Sequence, residues 1–411
     1  MLQRKPPKNG SKCRGGPKCV FACRANSGII LKNGRKGDAH MRSRRPDAIV
    51  RRLEQAGFAA YFVGGCVRDT LLCRPVHDWD VTTSARPEQV LALFAHCVPT
   101  GIRHGTVTVF EDGAQAEVTT FRADGAYHDG RHPDAVSFVT SLRGDLARRD
   151  FTVNAMAMDL RGNLYDYHGG QDDLRAGILR AVGQPEARFR EDALRMLRAC
   201  RFAAQLGFRL DAATEAAVFA CADGCAALSH ERIREETEKT LLSPRPQLLE
   251  KMLSAGLLRP CGLARTARLD WLAEVPCEQA TRWTALKILL PELSPEVFRL
   301  PSGLGVRITR AAAAYTPEPD MPALKRIAAE RGAETAALVA QLAGKSALWE
   351  QILASGDCIS LRQLAVTGRD LPALSGAQVG RTLRRLLAHV LVHPEDNTRE
   401  TLLRLAQQET L

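Results

Sequence analysis

The spacing of hydrophobic residues along the first third of the chain changes from helical to strand-like and back. Ile49, Val50 and Leu53 recur at the period of about 3.6 residues that is typical of an amphipathic helix, here expected between residues 46 and 57. Ala59–Val63 is instead a short continuous apolar run that ends at two glycines, which indicates a strand followed by a turn. The same criteria predict helices over Val67–Leu72 and Pro87–Phe94 and strands over Trp79–Thr83, Thr106–Phe110, Ala116–Phe121 and Val136–Val139.

Strand spacing disappears after about Asp173, and the remainder of the chain has the spacing of helices. Proline and glycine residues separate the helical segments, and no repeat of fixed length connects them. The pattern therefore predicts an α+β protein with a mixed sheet in residues 41–173 and an all-helical remainder. The predicted helices are Glu186–Leu206, Ala212–Ala220, Arg232–Leu242, Gln247–Leu257, Thr281–Leu290, Ala323–Leu342 and Val379–Val392.

Composition changes this picture little, but the charge is unevenly distributed. The chain has 411 residues, 45% of them hydrophobic, and no apolar run approaches the roughly 18 residues of a membrane span, so we expect two or more globular domains and no membrane segment. The net charge of +11 would suggest a nucleic-acid partner. Residues 1–40 hold ten Lys or Arg and one Asp, however, which leaves 47 − 45 = +2 for the rest. Any RNA is therefore expected to bind through local patches and not through a bulk field.

Residues 1–40 have neither helical nor strand spacing and are rich in Gly, Lys, Arg and Pro, so we predict a disordered basic leader. A basic RNA-binding arm is one interpretation. The other is that Met41 is the true start, because Lys36-Gly37-Asp38 can be encoded by a bacterial ribosome-binding sequence close before it. The twelve cysteines follow no zinc-ligand spacing and suggest free thiols in a reducing cytoplasm.

Two short motifs in the predicted α/β region carry chemistry. The segment Gly64–Asp69 places a Gly-Gly step between a strand and a helix, where backbone amides can approach a phosphate and Arg68 adds positive charge. Asp78 and Asp80 follow, and on a strand their carboxylates would point to one face, as the binding of Mg²⁺ ions between protein and a triphosphate requires. Either motif alone is weak, and together they are much stronger. The dipeptides His77-Asp78 and His128-Asp129 suggest a His-Asp metal phosphohydrolase instead, but the helical half has no matching ligand set.

At this point the chain resembles the class II nucleotidyltransferase family, which contains tRNA CCA-adding enzymes and bacterial poly(A) polymerases. The matching segments follow in order over essentially the whole chain after Met41, with weaker similarity from Gly368–Leu371 to the C-terminus. The earlier segments are Gly101–Val109, Glu117–Arg122, Asp129–Asp134, Arg148–Ala155, Asp166 with Gly169-Gly170, Glu191–Arg198 and Glu231–Ile233.

The resemblance implies a fold and a set of site residues. The fold is a polymerase β-like catalytic head at 41–173, then a helical neck at 174–245, a body at 246–345 and a tail at 346–411. Asp78 and Asp80 are implied as catalytic metal ligands, and Glu117 is either a third catalytic carboxylate or an ordinary strand residue. Gly65, Arg68 and Arg149 (with Asp150) are implied as nucleotide contacts.

The Glu-Asp-x-x-Arg element supplies a candidate for base selection. In a helix Asp192 and Arg195 would be neighbours at i and i+3, and a carboxylate beside a guanidinium offers an acceptor next to a donor. Cytosine and adenine both present an amine next to an acceptor, whereas uracil and guanine present a keto group instead. The alternative is an ordinary surface salt bridge. Arg198 and Arg201 continue at intervals of three, and Arg201 would lie roughly opposite Asp192, so its predicted nucleotide contact rests mainly on the family pattern.

Within the family, the sequence favours CCA addition. Gly101–Val109 resembles the CCA-adding form, and Tyr127–Pro133 resembles the loop associated with switching from C to A, which also argues against an enzyme that adds only two cytidines. The expected cofactor is Mg²⁺, and the expected partners are CTP, ATP and the 3′ end and acceptor arm of tRNA. The enzyme is expected to be a cytoplasmic monomer or homodimer. A basic cluster in the tail is either a tRNA contact or a solvated helix face; it contains Arg369, Arg381, Arg384 and Arg385.

Overall fold

The computed structural model describes residues 44–102, 105–124, 136–138 and 141–407. The leader at 1–40, the proposed start at Met41 and the predicted switch loop around Asp129–Pro133 lie outside these ranges. Contacts divide the described chain into two units. The first contains the residues up to Arg122 together with Phe138–Leu146 and Val153–Ala176. The second contains the described residues 123–124 and 136–137, the segment Ala147–Thr152 and the residues from Gly177 onward.

The sheet of the first unit is mixed, as predicted. Its seven strands pair antiparallel except for one central parallel pair, formed by Asp80–Thr83 and Ala114–Thr120. Along the second of these strands buried and exposed residues alternate, so one face is covered and the other is open. The strands of the described chain are β1 (Ala60–Val63), β2 (Asp80–Thr83), β3 (Cys97–Gly101), β4 (Thr106–Glu111), β5 (Ala114–Thr120), β6 (Arg122–Asp124), β7 (Val136–Phe138), β8 (Met156–Met158), β9 (Leu164–Asp166), β10 (Ile178–Leu179) and β11 (Arg209–Leu210).

The strand order in that sheet is β3-β4-β5-β2-β1-β8-β9, so the predicted hairpin β4-β5 leads directly to the centre. The predicted first helix is confirmed and packs against β1 and β4 through Ile49, Val50 and Leu53, which are fully buried. A second core cluster contains Val63 and Leu146. The helices of this unit are α1 (Asp47–Gln55), α2 (Gly65–Leu71), α3 (Pro87–Leu93), α4 (Leu142–Ala147, which ends at the unit boundary) and α5 (Gly170–Ala176).

The second unit contains most of β6 and β7 and the two-residue strands β10 and β11, which pair in parallel. Its other regular elements are helices. The predicted α+β class, with a mixed-sheet head followed by helices, is confirmed. The division of the helical half into neck, body and tail stays a prediction. The helices are α6 (Pro185–Glu191), α7 (Leu194–Leu206), α8 (Ala212–Ala220), α9 (His230–Leu241), α10 (Leu249–Ser254), α11 (Gln279–Leu289), α12 (Ser302–Ala314), α13 (Met321–Arg331), α14 (Ala333–Leu342), α15 (Ser346–Ser355), α16 (Ala377–Val392) and α17 (Arg399–Gln407).

Two of the predicted long helices are each interrupted by one or two residues. The segment predicted as Ala323–Leu342 is α13 and α14, separated by Gly332 at φ 95°. Only glycine adopts such a backbone readily, so the helical hydrogen bonding stops there although the hydrophobic spacing continues. The segment predicted as Glu186–Leu206 is α6 and α7, and its interruption falls at a candidate site residue. No helix within the described ranges is long and apolar enough to cross a membrane.

Candidate active site

The carboxylates of Asp80 and Glu117 project from neighbouring strands of the first unit. Asp80 begins β2 and is registered with Glu117 of β5 in the parallel pair. The backbone N–H of Glu117 donates to the carbonyl of Trp79 at 3.0 Å, which extends the ladder by one residue. Registered residues on adjacent strands point to the same face of a sheet, so these two carboxylates share one face. Asp80 is half-buried and Glu117 is exposed.

Asp78 does not lie on the strand. The prediction that it shares a strand with Asp80 is wrong, because β2 begins at Asp80 and residue 78 is in a bend. The intervening Trp79 is buried and packs edge-on against Phe62, with ring centroids 5.2 Å apart. Asp78 is exposed and Asp80 half-buried on either side of this anchor. The alternation of accessible and buried side chains over residues 78–80, on which the two-carboxylate hypothesis depends, is therefore present. The regular strand does not extend to Asp78.

A buried carboxylate that the sequence prediction missed supports the same strand. Asp145 is fully buried, accepts a hydrogen bond from the Thr82 hydroxyl at 3.1 Å, and accepts another from the Arg122 N–H at 3.4 Å. Such a contact fixes β2 two residues after Asp80. Its sequence signal is weak, because an Asp within the short helix α4 looks like an ordinary surface residue.

Of the two glycines in the Gly-Gly step, the first has a backbone conformation that requires glycine. Gly64 has φ 80° and ψ −134° immediately before α2, and its N–H donates to the carbonyl of Met156 at 3.2 Å. A Cβ on Gly65 would lie 3.7 Å from the Arg68 guanidinium, which is an ordinary contact. The positive φ therefore explains Gly64, whereas Gly65 is not required by the backbone angle or by a neighbouring atom.

Arg68 lies inside the first unit and has internal partners. Its Nε and Nη2 donate to the two carboxylate oxygens of Asp69 at 3.0 and 2.9 Å, and its Nη1 donates to the side-chain oxygen of Asn154 at 2.6 Å. The guanidinium thus ties α2 to the segment that precedes β8. Its predicted phosphate contact stays a prediction, and Asn154 joins the site as a residue that the motif reading had not singled out.

In the second unit, Asp150 and Arg198 form a close ion pair. Arg198 donates through Nε and Nη2 to one oxygen of Asp150 at 2.9 and 2.6 Å, and the other oxygen accepts from the Phe151 N–H. Burial by itself would lower the pKa of Arg198, but the charge and hydrogen bonds of Asp150 outweigh it and raise that pKa. Arg198 is therefore a permanent cation at this place, with half-buried Arg149 next to its partner.

Asp192 separates two helices instead of lying within one. It has φ −144° between α6 and α7, and its carboxylate accepts from the Leu194 N–H at 3.0 Å. The short Asp side chain competes with helical hydrogen bonding in this way, which explains the interruption. The prediction that Asp192 and Arg195 are i,i+3 neighbours on one helix is therefore wrong.

Asp192 and Arg195 each have a separate charged partner. The Nη1 of Arg195 donates to Glu191 at 2.6 Å and to the Arg188 carbonyl at 3.2 Å. Nη2 of Arg232, on α9, faces both oxygens of Asp192 at 3.4 and 3.5 Å. Arg232 belongs to the Glu231–Ile233 segment, which the sequence comparison had matched without giving it a role.

Arg201 is buried in the contact between α7 and α9. Its Nε lies 3.0 Å from Glu236, the two side chains are 9% and 6% exposed, and the guanidinium stacks 4.1 Å from the Phe202 ring. Asp192 also pairs with a residue of α9, so the expectation that Arg201 lies roughly opposite Asp192 on one helix is wrong. The contacts of Arg201 are those of a helix-packing residue, and its predicted nucleotide contact stays a prediction.

The donor atoms of the head suit a hard cation. Mg²⁺ is usually held by one or two carboxylates, with the remaining positions filled by water and substrate phosphates. Asp80, with Asp78 and Glu117 nearby in sequence or register, offers such carboxylates. Within the described ranges no group of three or more His, Cys, Asp or Glu is assembled closely enough to hold a metal. The metal phosphohydrolase alternative needs such a group of ligands.

Comparison with known proteins places these residues in a family. The Poly A polymerase head domain profile matches residues 60–180, and a second profile, described as a probable RNA and SrmB-binding site of polymerase A, matches residues 207–261. The CCA-adding enzyme of Limosilactobacillus fermentum is 38% identical over 388 residues, which cover 87% of this chain and 95% of that protein. The chain belongs to the CCA-adding enzyme family.

Other members of the family match at the level of sequence and of fold. The CCA-adding enzyme of Lactobacillus helveticus is 56% identical over 248 residues, 59% of this chain. That match spans 62% of the relative, and a match to the Lactobacillus delbrueckii enzyme spans 63% of it. The crystal structure of the Bacillus stearothermophilus CCA-adding enzyme in complex with CTP superposes with a TM-score of 0.75 at 33% identity, covering 89% of this chain and 98% of that one. The predicted family and its fold are therefore confirmed.

Proposed function

We propose that this chain adds C, C and A to the 3′ end of tRNA, using CTP and ATP without a nucleic-acid template and releasing pyrophosphate. The observation that carries the proposal is the registered pair Asp80–Glu117 on parallel strands of the head, in a chain of the CCA-adding enzyme family. The complex of the related B. stearothermophilus enzyme with CTP supports the choice of nucleotide substrate.

The head residues prepare nucleotidyl transfer. Asp78 and Asp80 hold Mg²⁺ in this proposal, and Glu117 adds a further carboxylate to the same face. When bound, Mg²⁺ would neutralise the triphosphate, activate the attacking 3′ hydroxyl and stabilise the departing pyrophosphate. The chain itself fixes Asp80 through the β2–β5 ladder and through the Thr82–Asp145 contact, so the carboxylate is oriented before substrate binds.

The phosphates are bound near the start of α2 in this proposal. The positive φ of Gly64 turns the chain so that α2 begins at Gly65, and buried Arg68 adds charge close to that turn. Because Arg68 already donates to Asp69 and Asn154, its contribution is mainly positive potential and the placement of α2. Arg149 and Arg198 are assigned as further nucleotide contacts in this proposal, and Arg198 is held by its pair with Asp150.

Base selection is assigned to Asp192 and Arg195. The Asp192 carboxylate accepts from the exocyclic amine of cytosine or adenine, and the Arg195 guanidinium donates to the adjacent ring nitrogen. Uracil and guanine place a keto oxygen where the amine belongs, and a carboxylate repels it. The predicted switch from C to A involves Asp129–Pro133, outside the described residues. In the cell we assign this activity to the cytoplasm, with tRNA held by the helical half and the enzyme acting as a monomer or homodimer.

A second candidate function is polyadenylation, which the description of the head-domain match favours. The chemistry of the head would be the same in both enzymes. They differ in whether C is incorporated and in whether addition stops, so the two candidates give different products from one substrate.

The proposal is tested by incubating the protein with Mg²⁺, labelled CTP or ATP, and tRNA lacking its last three nucleotides. We expect incorporation of both labels and a loss of roughly 10²–10³-fold in Asp80→Ala, as for the removal of one electrostatic stabiliser. Asp172→Ala is the matched control, because this carboxylate is highly exposed and forms a surface pair with Arg175. Release of phosphate without incorporation, or equal activity of Asp80→Ala and the control, would contradict the proposal.

A further inference from the structure

The carboxylate of Asp192 is held by few contacts. One oxygen accepts from the Leu194 N–H at 3.0 Å, and a single nitrogen of Arg232 lies 3.4 and 3.5 Å from the two oxygens. A carboxylate has about four acceptor positions, so this arrangement leaves acceptor capacity for a ligand. The side chain of Asp192 is 19% exposed and therefore reachable.

The position of Arg232 is fixed by the helix on which it lies. It is in the first turn of α9, where the hydroxyl of Ser229 accepts its backbone N–H. The buried pair of Arg201 and Glu236 joins α9 to α7 further along. The backbone of Arg232 is thus anchored relative to α7, which follows Asp192. The side chain of Arg232 reaches from α9 to the Asp192 carboxylate.

The guanidinium of Arg232 differs from that of a purely structural arginine in the same unit. Nη1 of Arg282 donates to the carbonyls of Leu241 and Ser243, both at 2.7 Å. Nη1 of Arg232 is buried but has no hydrogen-bond partner among the described residues. The principal charged partner of Arg232 is therefore Asp192. A single nitrogen of Arg232 faces both carboxylate oxygens, which can still accept hydrogen bonds from a ligand.

We propose that Arg232 is a positioning residue for nucleotide selection, which holds the Asp192 carboxylate in the orientation that accepts the exocyclic amine of cytosine and adenine. The inference rests on the proposed function and adds a residue to it. Without the guanidinium, the Leu194 N–H is the one hydrogen-bond donor that the described residues leave to the carboxylate, which can then rotate away. The hydrogen bond from the exocyclic amine and the repulsion of a keto oxygen then both weaken. The affinity for CTP and ATP and the discrimination against UTP therefore decrease together.

The test compares Arg232→Met, which keeps most of the aliphatic stem without the charge, with Arg232→Lys. Steady-state kinetics with saturating tRNA lacking its last three nucleotides should show KM for CTP and ATP raised about tenfold in Arg232→Met, the fold-change for loss of one modest polar contact. The kcat should change less than about threefold, and the preference for CTP over UTP should fall about tenfold. Arg232→Lys should recover part of both effects, because it restores a cation without the planar fork.

Two further variants separate positioning from other roles. Arg234→Met on the same helix is the matched control and should leave KM unchanged, since among the described residues the polar contacts of Arg234 are with the Arg299 carbonyl and Glu235. In an Asp192→Asn background, Arg232→Met should add less than about a twofold effect, because its partner is already lost. An undiminished effect in that background, or a raised KM for tRNA with nucleotide KM unchanged, would overturn the inference.

Equilibrium binding of CTP and UTP without tRNA separates this inference from the proposed function. If the wild-type protein binds CTP over UTP and Arg232→Met loses that preference, the inference holds even when no nucleotide is transferred. If wild type transfers C and A but Arg232→Met and Arg232→Lys both match it in KM and selectivity, the proposed function holds and the inference fails. Thermal unfolding of each variant shows that the folded protein is being compared.

Discussion

Glu117 shows how much a single residue's neighbours decide its chemistry. As one exposed position on an alternating strand, it is no different from other surface carboxylates. Its registration with Asp80 across a parallel pair makes it a companion of the predicted metal ligands. The sequence could predict that Glu117 faces the site only on the condition that its strand lies beside residues 78–80, and β5 meets that condition.

Replacing Glu117 by Gln should therefore raise the Mg²⁺ concentration needed for half-maximal activity by roughly tenfold, the order of effect for residues that tune a metal site. The amide keeps the size of the side chain but removes its charge. Titration of activity with Mg²⁺ measures this shift. Gln115→Ala, two residues earlier on the same exposed face of β5, is the control and should leave the titration unchanged. An unaltered Mg²⁺ requirement in Glu117→Gln would show that this carboxylate does not act at the site.

The contact between α7 and α9 brings together several candidate site residues of the second unit. Arg201 and Glu236 pair in its interior, and Asp192 and Arg232 pair at one end. The helical spacing of the sequence predicted the existence of both helices. It could not show the interruption at Asp192 or at Gly332, because hydrophobic residues continue at helical spacing across a break of one or two residues.

Breaking the buried pair should destabilise the protein far more than breaking an exposed one. Glu236→Gln leaves the charge of Arg201 buried without its carboxylate partner, and we expect a loss of about 3–5 kcal/mol in the free energy of unfolding. Arg190→Met is the control, since its pair with Glu186 is largely exposed and worth about 0–1 kcal/mol. Urea unfolding of both variants measures the difference. Similar stabilities would mean that Arg201 is not held by Glu236 in solution.

At the scale of the molecule, the sequence predicted the mixed sheet, the helical remainder and the family. It missed β8 and β9, because three-residue strands carry too little alternation to be recognised. It also missed the edge strand β3, along which buried and exposed residues do not alternate. It also missed the contacts of Asp145 and Asn154, which are long-range pairs without local spacing. The partners of Asp192 and Arg195 depend on a backbone break and on a distant helix, so residue spacing alone could not supply them.

The cysteines provide a test of the fold as a whole. The nine cysteines in the described ranges are free thiols, of which Cys73 and Cys277 are exposed. Burial raises the pKa of Cys200, Cys225 and Cys261 to about 12, so at pH 8 almost none of their thiolate is present.

Iodoacetamide at pH 8 should therefore modify Cys73 and Cys277 in the native protein and leave these three unmodified until denaturant is added. Peptide mapping by mass spectrometry identifies the sites. Equal labelling of Cys200 and Cys73 under native conditions would show that the second unit is not packed as described.

The proposed activity is tested most directly by sequencing the 3′ ends that the protein makes. The substrate is tRNA lacking its last three nucleotides, supplied with Mg²⁺ and all four nucleoside triphosphates. We expect products ending in C, C and A, with U and G absent and no further extension. Long tracts of A, termination after two cytidines, or free incorporation of U would contradict it.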